Sequence, residues 1–144
     1  MKILLAEDEV TIAVTLRDAL EEAGYAVVTA ETTEAALAAL EAELPDLVIT
    51  DVRMPGEGGH AVLERSLELQ AERPVIVMTG FATIDKAVEA MRLGAVDYVQ
   101  KPFRNDAMVA RVDTLARLLH LQAENDALRG EGTTHPAFAG IIGT

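Results

Sequence analysis

Glu7 and Asp8, Asp51, Thr79 and Lys101 each stand at or just after the end of a short apolar run, and between them they offer three carboxylates, a hydroxyl and an ammonium. Three carboxylates gathered at one place repel one another unless a cation joins them. Oxygen ligands that leave room for water and for phosphate oxygens suit Mg²⁺, or Mn²⁺. Asp8 and Asp51 are the expected direct ligands, with the main-chain carbonyl of Arg53 a third, and the longer Glu7 acts through water. A cation beside Asp51 offsets the charge of an incoming phosphoryl group and lets the carboxylate act as nucleophile, forming an aspartyl phosphate. Phosphoryl transfer asks mainly for positioning and for charge stabilisation on the equatorial oxygens. Lys101 supplies a fixed positive charge for one such oxygen and the Thr79 hydroxyl a donor for another. Taken singly, each residue has a plainer reading as a turn aspartate, a helix cap or a solvated charge. Their recurrence at successive run ends is what makes the pattern specific.

These residues need elements to position them. Apolar runs at Ile3 to Ala6, Ala26 to Ala30, Leu47 to Thr50, Val75 to Met78 and Val96 to Val99 alternate with helical patterns, which predicts right-handed βαβ crossovers and a doubly wound, five-stranded parallel sheet. The runs are continuous rather than alternating, as expected where helices cover both faces. Ile12, Leu16 and Leu20 give the first helix an apolar stripe, Leu37, Leu40 and Leu44 the second, Leu63 and Leu67 the third, and Ile84, Val88 and Met91 the fourth. Gly24, Gly58, Gly59 and Gly94 stand where helices start or stop, and Pro45, Pro55, Pro74 and Pro102 punctuate loops. In such sheets the functional crevice lies outside the carboxyl ends of the strands, where strand order reverses. With order 2-1-3-4-5, strands one and three are neighbours, and their carboxylates converge.

The chain has 144 residues, half of them hydrophobic, and 24 acidic against 12 basic side chains give a net charge of −12. That balance argues against direct nucleic-acid binding by this segment through a basic surface. Without cysteine there is neither a disulfide nor a thiolate metal site, and His60, His120 and His135 are too scattered to suggest zinc. No apolar run approaches the roughly 20 residues needed to span a bilayer, and no signal-peptide pattern opens the chain. A cytoplasmic protein with no membrane partner is expected.

The stretches Ile3-Leu4-Leu5-Ala6-Glu7-Asp8-Glu9, Asp46 through Gly56 around Asp51, Val77-Met78-Thr79-Gly80, and Gly94 through Phe103 around Lys101 resemble, in that order, the receiver domain of bacterial two-component response regulators. The resemblance implies a flavodoxin-like receiver fold over residues 1–120 and a phosphoacceptor regulatory domain rather than an enzyme turning over an external substrate. It implies Asp51 as phosphoacceptor, Glu7 and Asp8 as the acidic pair, Thr79 and Tyr98 as switch residues, a cis Lys101-Pro102 bond, and a cognate sensor histidine kinase as partner. Two positions depart from the family pattern: Glu7 stands where Asp is usual, and Gly58 where Asp is common. Arg53 and Phe81 flank the site and stand where they can shield or admit the hydrolytic water.

The last helix is expected from about Asn105 to about Leu128, ending after Arg129 with Gly130 opening a tail. Leu118, Leu121, Asn125 and Leu128 have the spacing of a coiled-coil seam, with Asn at an a-like position; the other reading is an amphipathic end folded back on the domain. Residues 121–129 resemble the linker helix of NtrC-type and DctD-type regulators. Residues 130–144, with Phe138, Ile141 and Ile142, resemble the start of their AAA+ ATPase domain, the alternative being an ordinary chain end. The resemblance implies the receiver and linker of a sigma-54 activator, with a homodimer through the C-terminal helix or through the face built from helix four, strand five and helix five. A stand-alone receiver acting by protein-protein interaction is the nearest rival. A haloacid-dehalogenase-like phosphatase typically has a second Asp where Arg53 stands, and a flavodoxin would find its phosphate repelled by Glu7, Asp8 and Glu9.

Overall fold

The computed structural model describes residues 1–56, 58–80 and 83–132, with 125–132 described by backbone alone. Phe81 and the tail bearing Phe138, Ile141 and Ile142 lie outside the described residues. The chain divides into two compact units, Met1–Val109 and Ala110–Thr144. The first contains five strands, β1 (Lys2–Ala6), β2 (Ala26–Ala30), β3 (Leu47–Asp51), β4 (Val75–Thr79) and β5 (Asp97–Gln100). They form one parallel sheet in the order β2-β1-β3-β4-β5. Between them run α1 (Val10–Glu22), α2 (Thr33–Glu43), α3 (Gly59–Leu69) and α4 (Ile84–Arg92), and α5 (Asn105–Gly132) follows.

Burial explains the sequence pattern of the strands. Every residue of β3 and β4 is buried, and so are Ile3 to Ala6 of β1, whereas the edge strands β2 and β5 are half-buried. Full burial thus falls to the strands with neighbours on both sides and helices on both faces, while the apolar runs of β2 and β5 lie at the sheet edges. Leu16 and Leu20 of α1, Leu40 of α2 and Leu63 of α3 are fully buried. Thr32 caps α2 by accepting from the Ala35 N–H at 3.1 Å, and Thr83 caps α4 by accepting from the Lys86 N–H at 3.2 Å. At the other ends, Gly24 and Gly94 close α1 and α4. Their N–H groups donate to Glu21 and Met91, and the next residues, Tyr25 and Ala95, donate back to Leu20 and Ala90, the Schellman pattern.

Three expectations are corrected. Leu44 is 67 % exposed and caps α2 in the left-handed region at φ 48; the helix has ended before it, so it leaves the stripe. Ile84, Val88 and Met91 do lie along α4, but they are exposed, and the buried residue of that helix is Ala90. The small side chain lets the helix backbone come close, and the larger ones fall outside the contact. Finally, α5 runs on to Gly132. Gly130 does not stop it, which fits the modest cost, about 1 kcal/mol, of a glycine inside a helix.

Candidate functional site

All five strands point the same way, so the residues after them share one edge of the sheet, and the β1/β3 junction is where strand order reverses. The ladder continues one residue past β1, with the Glu7 N–H donating to the Ala30 carbonyl at 2.9 Å. It continues past β3 as well, the Val52 N–H donating to the Met78 carbonyl at 2.9 Å. On the far side, the Lys101 N–H donates to the Thr79 carbonyl at 2.7 Å, which draws the β5 end toward the β4 end. The Lys101-Pro102 bond is cis.

Lys101 Nζ lies 2.6 Å from Asp51 Oδ2 and 3.0 Å from Glu7 Oε1, with Glu9 Oε1 at 4.0 Å. The second oxygens are also held: Asp51 Oδ1 accepts from the Arg53 N–H at 3.0 Å, and Glu7 Oε2 accepts from the Glu9 N–H at 2.9 Å. Asp51 is 4 % exposed and Glu7 is fully buried, whereas Asp8 is exposed. One oxygen from each of Glu7, Asp8 and Asp51 lies within 4.8 Å of the others. Asp8 also borders an open cleft of about 550 Å³ whose other wall is the loop bearing Arg53, Pro55, Gly56 and Gly58.

Burial pushes the Glu7 carboxyl up to about 7, and the Asp51 charge adds to it, against the opposing pull of the Glu9 N–H and Lys101. For Lys101, burial acts to lower the ammonium, but its hydrogen bonds to Asp51 and Glu7 outweigh this and the net direction is upward. The two directions agree if Lys101 pairs first with Asp51, as the shorter distance indicates. Three carboxylates against one ammonium leave an anionic excess at a partly open site built of oxygen donors, and that donor set fits a small divalent cation.

The other expected residues are distributed around this centre. Thr79 is buried at the end of β4, one residue past Met78, the register partner of Asp51. Tyr98 lies on β5 opposite Val77. Its ring is partly buried, and its hydroxyl is buried without a hydrogen-bond partner among the described residues, not in water as half-buried aromatics commonly are. The sequence marks Glu9 only as one more negative charge and does not mark Thr33 at all, whereas the main chain of Glu9 holds Glu7 and the Thr33 hydroxyl accepts from the Gly58 N–H at 2.8 Å. A second threonine beside the Thr32 cap was the available signal.

The family model for the response regulator receiver domain matches residues 3–113. The chain belongs to that family. This receiver is 42 % identical over 116 residues to the response regulator protein FleR of Pseudomonas aeruginosa, covering 81 % of the chain and 24 % of FleR. It is 36 % identical over 128 residues to the C4-dicarboxylate transport transcriptional regulatory protein DctD of the same organism, covering 89 % of the chain and 28 % of DctD. Among solved structures, NtrX from Brucella abortus superposes with a TM-score of 0.81 at 31 % identity, over 96 % of this chain and 32 % of that one. The receiver thus spans about a quarter to a third of the length of these relatives. Among its described residues no helix is long and apolar enough to cross a membrane.

Proposed function

We propose that this receiver is a phosphorylation switch that takes a phosphoryl group on Asp51 from a sensor histidine kinase. The observation that carries the reading is the Lys101 ammonium 2.6 Å from Asp51 and 3.0 Å from Glu7, two carboxylates that cluster with Asp8 at the strand-order reversal. Asp8, Asp51 and the Arg53 main-chain carbonyl would hold Mg²⁺ or Mn²⁺, with Glu7 acting through water. When bound, the ion supplies charge neutralisation for the phosphoryl oxygens. An Asp51 carboxylate oxygen attacks phosphorus, the bond from phosphorus to the donor imidazole nitrogen breaks, and the imidazole leaves with the electron pair. Lys101 leaves its ion pair with Asp51 to hold one equatorial oxygen, and the Thr79 hydroxyl donates to another.

Movement of the Thr79 hydroxyl toward the phosphoryl group then changes the surroundings of Tyr98, a local event that biases a two-state element. The hydroxyl of Tyr98, buried and without a partner among the described residues, supports this, because such a group gains by any rearrangement that offers it an acceptor. The site residues, the cytoplasmic location and the domain limits are part of the same proposal: receiver 1–120, then a linker helix from 121 that runs on to Gly132 rather than ending at 129, and the opening of an AAA+ domain in the residues that follow, up to 144. Similarity to DctD and FleR supports an output through a sigma-54-activating ATPase. The exposure of Leu118 and Leu121 on α5 supports a homodimer through that helix.

The test is intact mass after incubation with acetyl phosphate and Mg²⁺, with light scattering alongside. One added phosphoryl group is expected on the native chain and none on Asp51→Asn or without metal. A chain that gains no adduct and shows no response to beryllofluoride with Mg²⁺ would overturn the reading.

A further inference from the structure

The loop between β3 and α3 carries the Arg53 carbonyl and forms one wall of the cleft at Asp8. It is tied to α2 by a side chain that the phosphoryl chemistry does not use. Thr33, the first residue of α2, is 1 % exposed. Its N–H donates to the Pro55 carbonyl at 3.0 Å, and its hydroxyl oxygen accepts from the Gly58 N–H at 2.8 Å. The cap of α2 is Thr32, so the Thr33 hydroxyl is free of that duty. A Cβ added at Gly56 would meet Thr33 Cβ at 3.0 Å and its hydroxyl oxygen at 3.2 Å, so the loop lies directly on this side chain. Gly56 has φ 100, and Gly58, at φ 90 and ψ 179, occupies a region open essentially to glycine alone. The departure from Asp at position 58 thereby acquires a reason: the backbone that reaches the Thr33 hydroxyl excludes a side chain there. At its other end the loop is anchored by the Arg53 N–H on Asp51.

We propose that Thr33 is a positioning residue for the metal and phosphoryl site, stapling the loop through two hydrogen bonds so that the Arg53 carbonyl keeps a fixed place relative to Asp51. The proposal rests on the reading of Asp51 as a metal-assisted phosphoacceptor. A main-chain ligand has no rotamer to lock; only the loop that carries it can be held. Loss of such an outer contact typically weakens a metal site about tenfold or more. Thr33→Val keeps the shape and the N–H but leaves the Gly58 N–H without its acceptor, whereas Thr33→Ser keeps the hydroxyl.

The experiment uses the 144-residue chain, its Thr33→Val and Thr33→Ser forms, and three readouts: calorimetric titration with MgCl₂, amide hydrogen exchange of the metal-free protein, and the rate of adduct formation from acetyl phosphate. Thr33→Val is expected to weaken Mg²⁺ binding about tenfold, to speed exchange at the Arg53 and Gly58 amides, and to slow phosphorylation at subsaturating Mg²⁺. Thr33→Ser is expected to restore all three. If Thr33→Val binds Mg²⁺ within about twofold of the native chain, the staple is overturned even where its melting temperature falls, because Thr33 is then a fold residue only. A native chain that takes up neither Mg²⁺ nor a phosphoryl group overturns the functional reading itself, and the staple loses its purpose with it.

Discussion

Arg73 is a buried cation and Lys101 a partly buried one, and they sit at opposite edges of one sheet, Lys101 after β5 and Arg73 just before β4. Lys101 is held between two carboxylates, Asp51 and Glu7, which cluster with Asp8, and Asp8 in turn borders the open cleft. Arg73 is 2 % exposed and held by neutral groups: Nη1 donates to the Ser66 hydroxyl at 3.1 Å and carbonyl at 3.4 Å, Nη2 to Gln70 Oε1 at 3.1 Å, and Nε has no partner among the described residues. Burial pushes the Arg73 guanidinium down, with the Asp46 charge opposing, whereas the net direction for Lys101 is up. Arg73 sits near the last carbonyls of α3, where a cation complements the helix end. Buried charge alone therefore does not mark a site. Charge matched by opposite charge, with access for a ligand, does.

The sharpest way to break this comparison is to remove each cation in turn. Lys101→Ala is expected to slow adduct formation from acetyl phosphate about 100-fold, the usual cost of one lost transition-state donor. It should also destabilise the fold by roughly 3 kcal/mol, because two buried carboxylates lose their partner. Both are read by intact mass over time and by urea unfolding. A variant phosphorylated at the native rate would remove Lys101 from the chemistry.

Glu7 provides the next largest effect. Its folded pKa of about 7 lies above the ordinary 4.5, so the folded chain binds this proton more tightly than the unfolded one. The stabilisation is fully present below about pH 4.5 and is lost as pH rises through about 7, on the order of 3 kcal/mol across the window. Urea unfolding of metal-free protein at pH 5 and pH 8 should show the decline, and Glu7→Gln should flatten it. An equal slope in the variant would assign the proton elsewhere. For Arg73→Met the expectation is nearly the opposite of Lys101→Ala. Replacing a buried charge by an apolar chain of similar length is often neutral, so stability should move by no more than about 1 kcal/mol, with the phosphorylation rate unchanged.

The contrast also explains what was legible before the fold was known. Asp51, Thr79 and Lys101 announce themselves because each is a polar residue at or just past the end of an apolar strand, and parallel topology gathers strand ends whatever the details of packing. The strand limits fall within a residue of the apolar runs for the same reason. Arg73, Thr33 and the outward stripe of α4 were not legible. Arg73 precedes a proline in what reads as a polar loop, and its hydrogen bonds to Ser66 and Gln70 are made only once α3 has folded. Thr33 acts on a loop 22 to 25 positions away along the chain, and no local pattern encodes that pairing. Ile84, Val88 and Met91 have the spacing of a buried face, but spacing gives a direction around the helix axis and not which neighbour lies there.

The smallest expected effect concerns another buried polar atom without a hydrogen-bond partner among the described residues, the Tyr98 hydroxyl. An unmade hydrogen bond inside the protein costs the desolvation of the group, about 1–3 kcal/mol. Removing the hydroxyl should therefore not destabilise the resting fold: Tyr98→Phe is expected to leave unfolding free energy unchanged or to raise it by about 1 kcal/mol, measured in urea without metal or phosphoryl donor. Loss of more than about 1 kcal/mol would mean that the hydroxyl has a partner, such as an ordered water, in the resting state. The same measurement in saturating beryllofluoride and Mg²⁺ sharpens the point. If phosphorylation gives the hydroxyl an acceptor, the native chain should gain more from the mimic than Tyr98→Phe does. An equal gain in both would mean that Tyr98 takes no part in the switch, and that its unpaired oxygen, like Nε of Arg73, is only a cost of packing the fold.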